Sequence, residues 1–522
     1  MANKYKWLWR WPVLSAVLWL VSAGCAWATG MTDAELDALV ERARQTFNVP
    51  GVAVAVVHQG RVEHVKAYGI RDIDSEQAVD TQTLFKIASL SKAFNSAALA
   101  TLVDAGKLDF NAPVRAYLPD FTLYDPWVTE QFTLVDMLTH RSGLGLGAGD
   151  LMLWPEPSGF RRSEVVHNLR YLPGDKTQFR TKYAYDNLLY IAAGQVLEAV
   201  SGQSWESYVE EQLMRPLGMQ HCVAGDIPTE LQNNVATPHK MVEGKLARVV
   251  RETAPGPSVS APAGGIRCSI ADMAKWTQMW LGQGKALLSA QVKHQLWQPY
   301  TLMSVSEREQ QQDNTHFAAY ALGWRLHDYH GTLRVHHTGA LAGMRAHLSL
   351  FPEKQLGIVV LINQGSTNAR QAIMQTLANA YLDAPQQDWI AYYRNKELAR
   401  ASNTSAQRES VDASFPLTTV QEYLGDYQDN WFGNVSVTSE QGKLIWQSAK
   451  MSRLRAELQP VAQDKFYAYW HDRSMHADSW VIFTRDEQGR IKGMQMVPFD
   501  DIDWSFDFQD LDLRKVNKSA AN

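Results

Sequence analysis

Ser89-Leu90-Ser91-Lys92 is the stretch that says most about the fold and the chemistry of this chain. Phe85-Lys86-Ile87-Ala88 leads into it, and apolar residues at mainly helical spacing follow it until Gly106. The pattern predicts that Ser89 and Lys92 lie in the first turn of a buried helix, on one face, with about 5–6 Å between their Cβ atoms. Serine is a weak nucleophile without a neighbouring base, and a lysine amine at this spacing can supply one. Because S-x-x-K is expected about twice by chance in a chain of this length, its meaning depends on what accompanies it.

The composition is that of a globular protein. The chain has 522 residues, 45% of them hydrophobic, which is enough for two or three domains with large cores. The formal net charge is −5, and both signs are scattered along the chain. No basic run predicts a nucleic-acid partner, and no acidic tail predicts a charged one.

The beginning of the chain has the pattern of an export signal. Three basic residues precede an apolar run over 11–23, and Ala26-Trp27-Ala28 offers the small residues that a signal peptidase reads. We therefore predict a signal peptide over 1–28 and a periplasmic or secreted protein. An uncleaved membrane anchor and lipid attachment at Cys25 stay open as alternatives, and a membrane association would require one of them.

Two further cysteines, Cys222 and Cys268, remain after removal of the signal. Export permits a disulfide between them, and buried free thiols are an equally open alternative. Their spacing resembles no metal site, and we predict no metal.

Strand patterns occur at both ends of the region before residue 385, with helical patterns between them. The predicted strands cover 52–57, 61–68, 320–326, 333–337, 345–351 and 356–363. Besides the helix after Ser89, the predicted helices cover 33–47, 188–200, 205–213 and 271–281. This order predicts an α+β domain over 29–385, with an antiparallel sheet assembled from both ends and flanked by helices.

The remainder of the chain changes character. Residues 386–418 are predicted to be a linker, because 401–414 are polar and rich in serine and alanine. Short strand patterns then recur at 435–438, 443–446, 466–470, 480–484, 491–497 and 504–508. Their regular spacing predicts a small all-β, barrel-like domain over 419–517.

Tyr185-Asp186-Asn187 is a second candidate motif, placed just before a predicted helix. A tyrosine can relay a proton once a nearby cation favours its phenolate, and an asparagine can orient it by hydrogen bonds. The same spacing also occurs at Tyr393-Arg394-Asn395, so the triplet alone is a weak signal.

His337-Thr338-Gly339 ends a predicted strand and is the third candidate. Gly339 would let a substrate approach the backbone closely, because it has no side chain. The N–H of Ala340 could then pair with the N–H of Ser89 as an oxyanion hole. The alternative is a turn with a solvated histidine. Because His336 is adjacent, the sequence does not show which of the two imidazoles would have a functional role.

The three motifs, in this order and context, resemble those of the serine β-lactamase and penicillin-binding superfamily. The closest pattern is that of the class C β-lactamase-like branch, peptidase family S12, with Ser-x-x-Lys, Tyr-x-Asn and Lys-Thr-Gly or His-x-Gly. Supporting stretches are Leu138-Thr139-His140-Arg141-Ser142-Gly143-Leu144, Pro216-Leu217-Gly218-Met219 and Pro262-Ala263-Gly264-Gly265-Ile266. The resemblance covers about Asp33 to Leu382 and implies the β-lactamase/transpeptidase-like fold.

The resemblance also implies roles for the motif residues. Ser89 would become acylated, while Lys92 and Tyr185 would share the proton transfers. Asn187 would position them, and the N–H groups of Ser89 and Ala340 would hold the oxyanion. The substrate would lie along His337, Thr338 and Gly339, and water would release the acyl group without a metal or cofactor.

One departure narrows the expected substrates. His337 stands where β-lactamases and DD-peptidases usually have lysine, and histidine is largely neutral at neutral pH. This favours an exported serine hydrolase acting on a small ester or a short peptide or amide, with D-residues among the candidates. A β-lactamase or DD-carboxypeptidase and a non-catalytic sensor or binding module on the same fold are the alternatives.

The C-terminal region has a resemblance of its own. Tyr423-Leu424-Gly425-Asp426-Tyr427, followed by Trp431-Phe432-Gly433, resembles the lipocalin-like β-domain that follows some of these hydrolases. Its aromatic residues could line a ligand cavity or fill a small barrel. A cover over the active site and an oligomer contact are also open, and the sequence predicts no oligomeric state.

Overall fold

The computed structural model describes residues 30–249, 258–407, 415–417, 419–500 and 502–516. The predicted signal peptide and Cys25 lie outside these residues. Within the described part of the chain, no helix combines the length and apolar character that crossing a bilayer requires.

The described α-helices belong to the region before the barrel. They are α1 Asp33–Thr46, α2 Ser91–Asp104, α3 Pro126–Gln131, α4 Leu134–Leu138, α5 Arg162–Asn168, α6 Leu188–Ser201, α7 Trp205–Val209, α8 Ile270–Trp280, α9 Ala290–Leu296, α10 Glu307–Asp313, α11 Thr367–Leu382 and α12 Trp389–Gln407.

The strands form one large sheet, two small ones and a barrel. They are β1 Gly51–His58, β2 Arg61–Gly69, β3 Phe85–Lys86, β4 Cys222–Val223, β5 His239–Val242, β6 Lys245–Arg248, β7 Arg267–Cys268, β8 Thr301–Met303, β9 Ala318–Tyr320, β10 Arg325–Tyr329, β11 Thr332–Leu341, β12 Met344–Phe351, β13 Leu356–Ile362, β14 Gly425–Asp429, β15 Gly433–Glu440, β16 Lys443–Ser448, β17 Arg455–Ala462, β18 Lys465–Trp470, β19 Ser479–Arg485, β20 Ile491–Pro498 and β21 Leu513–Lys515.

The large sheet has the order β2-β1-β13-β12-β11-β10-β9-β8, and its neighbours are antiparallel. Strands from both ends of the domain meet at its centre, so the predicted α+β architecture is confirmed. Both faces are buried: Val52 and Val54 pack toward α1 and α11, while Ala53 and Ala55 pack toward Trp276 of α8. This double burial explains why β1 is an unbroken apolar run.

Helix α2 is buried almost entirely, because small and apolar residues surround it on every side. It begins at Ser91, and Ala88–Leu90 forms a separate 3₁₀ turn before it. Ser89 therefore lies in the turn that leads into the helix, while Lys92 lies inside the helix and is fully buried. The turn places the serine hydroxyl at the protein surface and the amine in the core.

Cys222 and Cys268 face each other on the paired strands β4 and β7 and form a disulfide. The same strand β7 also pairs with β3, which directly precedes the turn carrying Ser89. Of the two possibilities that the sequence left open, the structure therefore has the disulfide.

The strands β14–β21 close into an eight-stranded barrel, which confirms the predicted all-β domain. Its interior is filled by buried aromatic side chains, among them Tyr423, Trp446, Trp470 and Phe483. The predicted strand over 504–508 is wrong, because this segment is irregular and enters the cleft between the domains.

The region 386–418, predicted to be a linker, is helical from Trp389 to Gln407. Trp389, Ile390 and Tyr393 are buried against the core beneath the sheet. The polar composition of the later turns therefore concealed a helix whose first turns are part of the domain.

Candidate active site

Ser89 and Lys92 are in contact, as the sequence predicts. Lys92 Nζ lies 3.4 Å from Ser89 Oγ and donates to Asn187 Oδ1 at 2.6 Å and to Ala263 O at 3.0 Å. Ala88, immediately before the serine, has a φ of +49°, a left-handed conformation that is unusual for a residue with a Cβ. The amine is thus fixed by two acceptors and directed at the half-buried serine hydroxyl.

The environment of Lys92 favours the neutral amine. Burial lowers its pKa to about 7, the charge of Arg325 adds to the lowering, and Asp150 and Asp186 act in the opposite direction. Burial also raises the pKa of Asp186, to about 7. A substantial fraction of Lys92 is therefore unprotonated near neutral pH, which is the form that can accept a proton from serine.

Tyr185 is buried beside the pair, with its ring centroid 4.7 Å from Lys92 Nζ. Burial raises the pKa of its phenol, although Arg325 and a hydrogen bond with Ser89 act to lower it. Tyr185 is therefore a neutral phenol at neutral pH and not the phenolate that a nearby cation was expected to favour. His140, from one of the supporting stretches, packs 4.3 Å from this ring.

Asn187 is the inner end of a chain of hydrogen bonds that the sequence did not predict. Its amide donates to Asp150 Oδ2 at 2.8 Å. The N–H groups on either side of Asp150, from Gly149 and Leu151, donate to the carboxylate of Asp507 at 2.6 and 3.0 Å. Since Asp507 belongs to the barrel domain, the second domain helps to hold the loop that supports Asn187 and, through it, Lys92.

His337 is buried and uses both ring nitrogens. Its Nδ1 donates to Thr338 O at 2.7 Å, and its Nε2 accepts from the Tyr320 hydroxyl at 2.8 Å. Burial, with the charges of Arg325 and Lys92, keeps its pKa well below the ordinary value. The imidazole is therefore neutral and does not provide the cation that a lysine at this position would provide.

Gly339 has a structural role besides the predicted substrate contact, which stays a prediction. A Cβ at this position would lie 2.3 Å from Ile87 O and 3.1 Å from Ala88 Cβ. The glycine therefore allows β11 to pack directly against the turn that carries Ser89. This close packing sets Thr338 and Ala340 along the cavity that also holds the serine.

A cavity of about 290 Å³ contains the predicted site and lies between the two domains. The motif residues that line it are Ser89, Tyr185, Asn187, His337, Thr338 and Ala340. The barrel contributes the irregular segment 503–506, with the Trp504 ring 5.7 Å from that of Tyr185. The second triplet, Tyr393-Arg394-Asn395, lies elsewhere, on α12.

Basic side chains that belong to none of the three sequence motifs also line the cavity. Arg325 stacks at 5.7 Å from the Tyr185 ring, and Lys240 and Arg345 lie on the wall that faces the barrel. Arg345 stands opposite Ala340 in the β11–β12 ladder. Among the described residues, neither Lys240 nor Arg345 forms an ion pair with a carboxylate. The sequence does contain one indication that Arg345 lies near the site. It follows the hairpin turn after β11, and cross-strand partners share a face of the sheet.

The sequence model of the Beta-lactamase family matches residues 36–382. This chain belongs to the beta-lactamase family. A second model, described as a domain of unknown function (DUF3471), matches 410–515 and so covers the barrel. The family assignment and the hydrolase-named relative below identify the first domain as that of a serine hydrolase.

Similar proteins and structures agree with this assignment. Unguisins hydrolase ungD' from Aspergillus campestris (strain IBT 28561) is 27% identical over 466 residues, 83% of each chain. Protein flp from Staphylococcus aureus (strain MW2) is 25% identical over 362 residues, 65% of this chain and 64% of its own.

Two solved structures share the fold. An octameric penicillin-binding protein homologue from Pyrococcus abyssi has a TM-score of 0.59 at 19% identity, covering 93% of this chain and 100% of its own. A class C beta-lactamase mutant has a TM-score of 0.54 at 22% identity, covering 67% and 96%. At these identities the likeness concerns the fold alone.

Proposed function

We propose that this serine hydrolase acts through an acyl intermediate on Ser89, with a small ester or a short peptide or amide as substrate. The observation that carries the proposal is the buried amine of Lys92, which is unprotonated in a substantial fraction of molecules near neutral pH and is held 3.4 Å from Ser89 Oγ by Asn187 and Ala263. A residue with no chemical task would not be expected to occupy so costly an environment.

In the proposed reaction, Lys92 accepts the Ser89 proton while Oγ attacks the acyl carbon. The N–H groups of Ser89 and Ala340 stabilise the resulting oxyanion, which can be worth about 3–4 kcal/mol per donor. The proton on Lys92 then passes to the leaving group, with the neutral Tyr185 hydroxyl as the relay, and the acyl–oxygen or acyl–nitrogen bond breaks. A water molecule gives a proton to Lys92 as it attacks the acyl carbon; the bond between the acyl carbon and Ser89 Oγ then breaks, and the proton on Lys92 passes to Oγ.

The cations of the cavity support a substrate with a negatively charged group. Lys240 and Arg345 face the space beside Ala340, and a carboxylate there could pair with both. A short peptide with a free C-terminus fits this requirement, and D-residues are among the candidates. The similarity to a protein named for hydrolysing unguisins supports an amide-cleaving activity of some kind.

The same two cations favour a second candidate, a β-lactamase or DD-carboxypeptidase. Substrates of both activities carry a carboxylate, and Arg345 offers a charge that the neutral His337 does not.

Export is part of the proposal. The disulfide between Cys222 and Cys268 is expected in an oxidising compartment, and the basic and apolar pattern of 1–28 is that of a secretory signal. Mass spectrometry of the mature protein from culture fractions tests both points, since cleavage after Ala28 and two bonded cysteines are expected.

Intact-mass labelling with a serine-directed phosphonate tests the acyl-enzyme proposal. One adduct is expected on the wild type and none on Ser89→Ala. Ser91→Ala is the matched control, because that serine is two residues away and its hydroxyl accepts from Ile266 N–H. A wild type without an adduct would favour the non-catalytic binding module.

A substrate panel separates the two candidates. A short-chain ester, a chromogenic cephalosporin and short peptides with L- or D-residues at the C-terminus are assayed side by side. We expect the ester or a peptide to be turned over and the cephalosporin to be a poor substrate; efficient cephalosporin turnover would support the second candidate.

A further inference from the structure

A second cavity, of about 310 Å³, lies on the opposite face of the strand that carries His337. It is bounded by β10, β11 and β12 on one side and by α10, α11 and α12 on the other. We call it the basic cavity. Arg325 and Thr338 line both this cavity and the active-site cavity.

The sheet face that forms the basic cavity changes character across its width. At β1 and β13 this face carries aliphatic residues such as Val54 and Val360, which pack on α1 and α11. At β10, β11 and β12 several positions of the same face are instead basic or polar: His327, Arg334, His336, His347 and Ser349 are buried and Arg325 is partly buried, beside the aromatic residues Tyr329 and Phe351. Aliphatic residues would pack there at no electrostatic cost, so the basic residues require another explanation.

The basic cavity holds far more positive than negative charge. Its lining contains five cations, Arg308, Arg325, Arg334, Arg370 and Lys396, and one carboxylate, Glu309. Arg308 pairs with Asp313 at 3.3 Å and lies 3.7 Å from Glu309. Among the described residues, no carboxylate lies within 4 Å of the guanidinium of Arg325, Arg334 or Arg370.

Several of these basic groups also lack hydrogen-bond partners within the described chain. Arg370 is 6% exposed, its Nε has no partner, and its two bonds, to Gly339 O and Ala346 O, are long at 3.3 and 3.4 Å. His336 is 5% exposed and neither of its ring nitrogens has a partner. Buried charges and donors are costly without acceptors, so the arrangement is complete only when acceptors are supplied.

The start of α11 provides further donors at the same place. The first two residues of this helix, Thr367 and Asn368, line the cavity, and the first turn of a helix has N–H groups without partners inside the helix. The positive end of the helix dipole adds to the field of the arginines.

We propose that the basic cavity binds a multiply charged oxyanion of the phosphate class. The buried guanidinium groups of Arg334 and Arg370 and the partly buried one of Arg325 exceed what one carboxylate can neutralise, whereas a tetrahedral dianion offers enough charge and enough acceptor oxygens. Burial lowers the pKa of Arg370 to about 9, with Arg345 and Arg325 adding to the lowering, and a bound anion would relieve this repulsion. The source is either free inorganic phosphate or a phosphomonoester whose organic part extends past the exposed Lys396 at the rim.

Calorimetric titration and thermal unfolding of the full chain test the proposal. Inorganic phosphate is expected to bind with a measurable heat and to raise Tm by a few degrees at saturation, relative to chloride at the same ionic strength. Acetate is the singly charged control and is expected to have little effect. Glycerol phosphate binding more tightly than phosphate would identify a phosphomonoester as the source; the reverse would identify free phosphate.

Variants then locate the site. Arg370→Gln is expected to weaken phosphate binding at least tenfold, and without phosphate its Tm should be equal to or above that of the wild type, because a repelling charge is removed. Lys396→Gln, at an exposed position that does not threaten folding, is expected to weaken binding about two- to threefold. Arg161→Gln, whose side chain is 81% exposed and lies outside the cavity, is the control.

The proposal fails if phosphate and chloride have the same effect on the wild type, or if acetate matches phosphate. It also fails if Lys396→Gln and Arg370→Gln both bind phosphate as the wild type does. Binding is measured without turnover, so these outcomes do not depend on the proposed hydrolase activity.

Discussion

The two cavities on either side of β11 satisfy their buried cations in different ways. In the active-site cavity, Lys92 has two strong acceptors, and buried acidic groups stand behind them. In the basic cavity, Arg334 donates to Ser349 and His347 but to no carboxylate of the described residues, and the two acceptors of Arg370 are distant. The difference teaches that the amine of Lys92 finds its acceptors within the chain, whereas in our proposal the arginines of the basic cavity take theirs from a bound anion.

The largest effect is expected from removing the amine of Lys92, which lies next to Ser89. Lys92→Met should lower kcat/KM for an ester by about 10³–10⁴-fold, because general-base assistance is lost. Tm should stay the same or rise, since a buried amine is replaced by an apolar side chain of similar length. Activity within tenfold of the wild type would show that another group is the base, and the contrast between the cavities would then lose its basis.

A smaller effect is expected from replacing Asp507 of the barrel, which holds the loop that supports Asn187 and Lys92. Asp507→Ala should leave the N–H groups of Gly149 and Leu151 without their acceptor, which costs about 1–3 kcal/mol of stability for each buried group. We expect kcat to fall about tenfold through a misplaced Asn187. Urea unfolding and steady-state kinetics measure both, with Asp512→Ala, at an exposed position, as the control.

The barrel wall of the active-site cavity should affect substrate binding more than chemistry. Trp504→Ala is expected to raise KM about five- to tenfold with a smaller change in kcat, because an aromatic contact worth about 1–1.5 kcal/mol is lost. Trp127→Ala, which removes a 60% exposed tryptophan far from the cavity, should leave KM unchanged. Equal KM values in the two variants would exclude a substrate contact with Trp504.

The smallest effect is expected from replacing Arg325, which lines both cavities. If Lys92 is the base of the proposed mechanism, its pKa of about 7 predicts that kcat/KM rises with pH through about 7 and then levels off. Removing the Arg325 charge makes protonation of Lys92 easier, so Arg325→Gln should move this midpoint upward, by less than one pH unit. A pH profile of each protein is the measurement, and a downward shift would contradict the electrostatic argument.

The sequence was sufficient for the sheet and for the residues of the site because both leave local patterns. The apolar run of β1 and the short strands of the β11–β13 region can be recognised one by one. The three motifs carry residue types that only a few chemistries use together, and the structure places Ser89 and Tyr185 in one cavity with Lys92 buried directly behind them.

Other features have no local pattern. Asp150 and Asp507 are single acidic residues far apart in the chain, and their link exists only through the loop between them. Trp504, Phe506 and Phe508 alternate as in a strand, but their apolar side chains face the cleft and the barrel core instead of a sheet. The packing of Gly339 on Ile87 likewise depends on a long-range contact that spacing alone does not reveal.

The carboxylate of Asp507 has a practical consequence for any attempt to divide the protein. A hydrolase domain expressed alone, ending near residue 385, would keep every motif residue yet lose the acceptor beneath Gly149 and Leu151, together with the wall that Trp504 provides. Such a fragment is expected to fold, but the loop that supports Lys92 would be held less firmly. Its active-site cavity would be open to solvent on the side that the barrel covers. We therefore expect that both domains are needed for full activity, although the amino-acid composition changes between them.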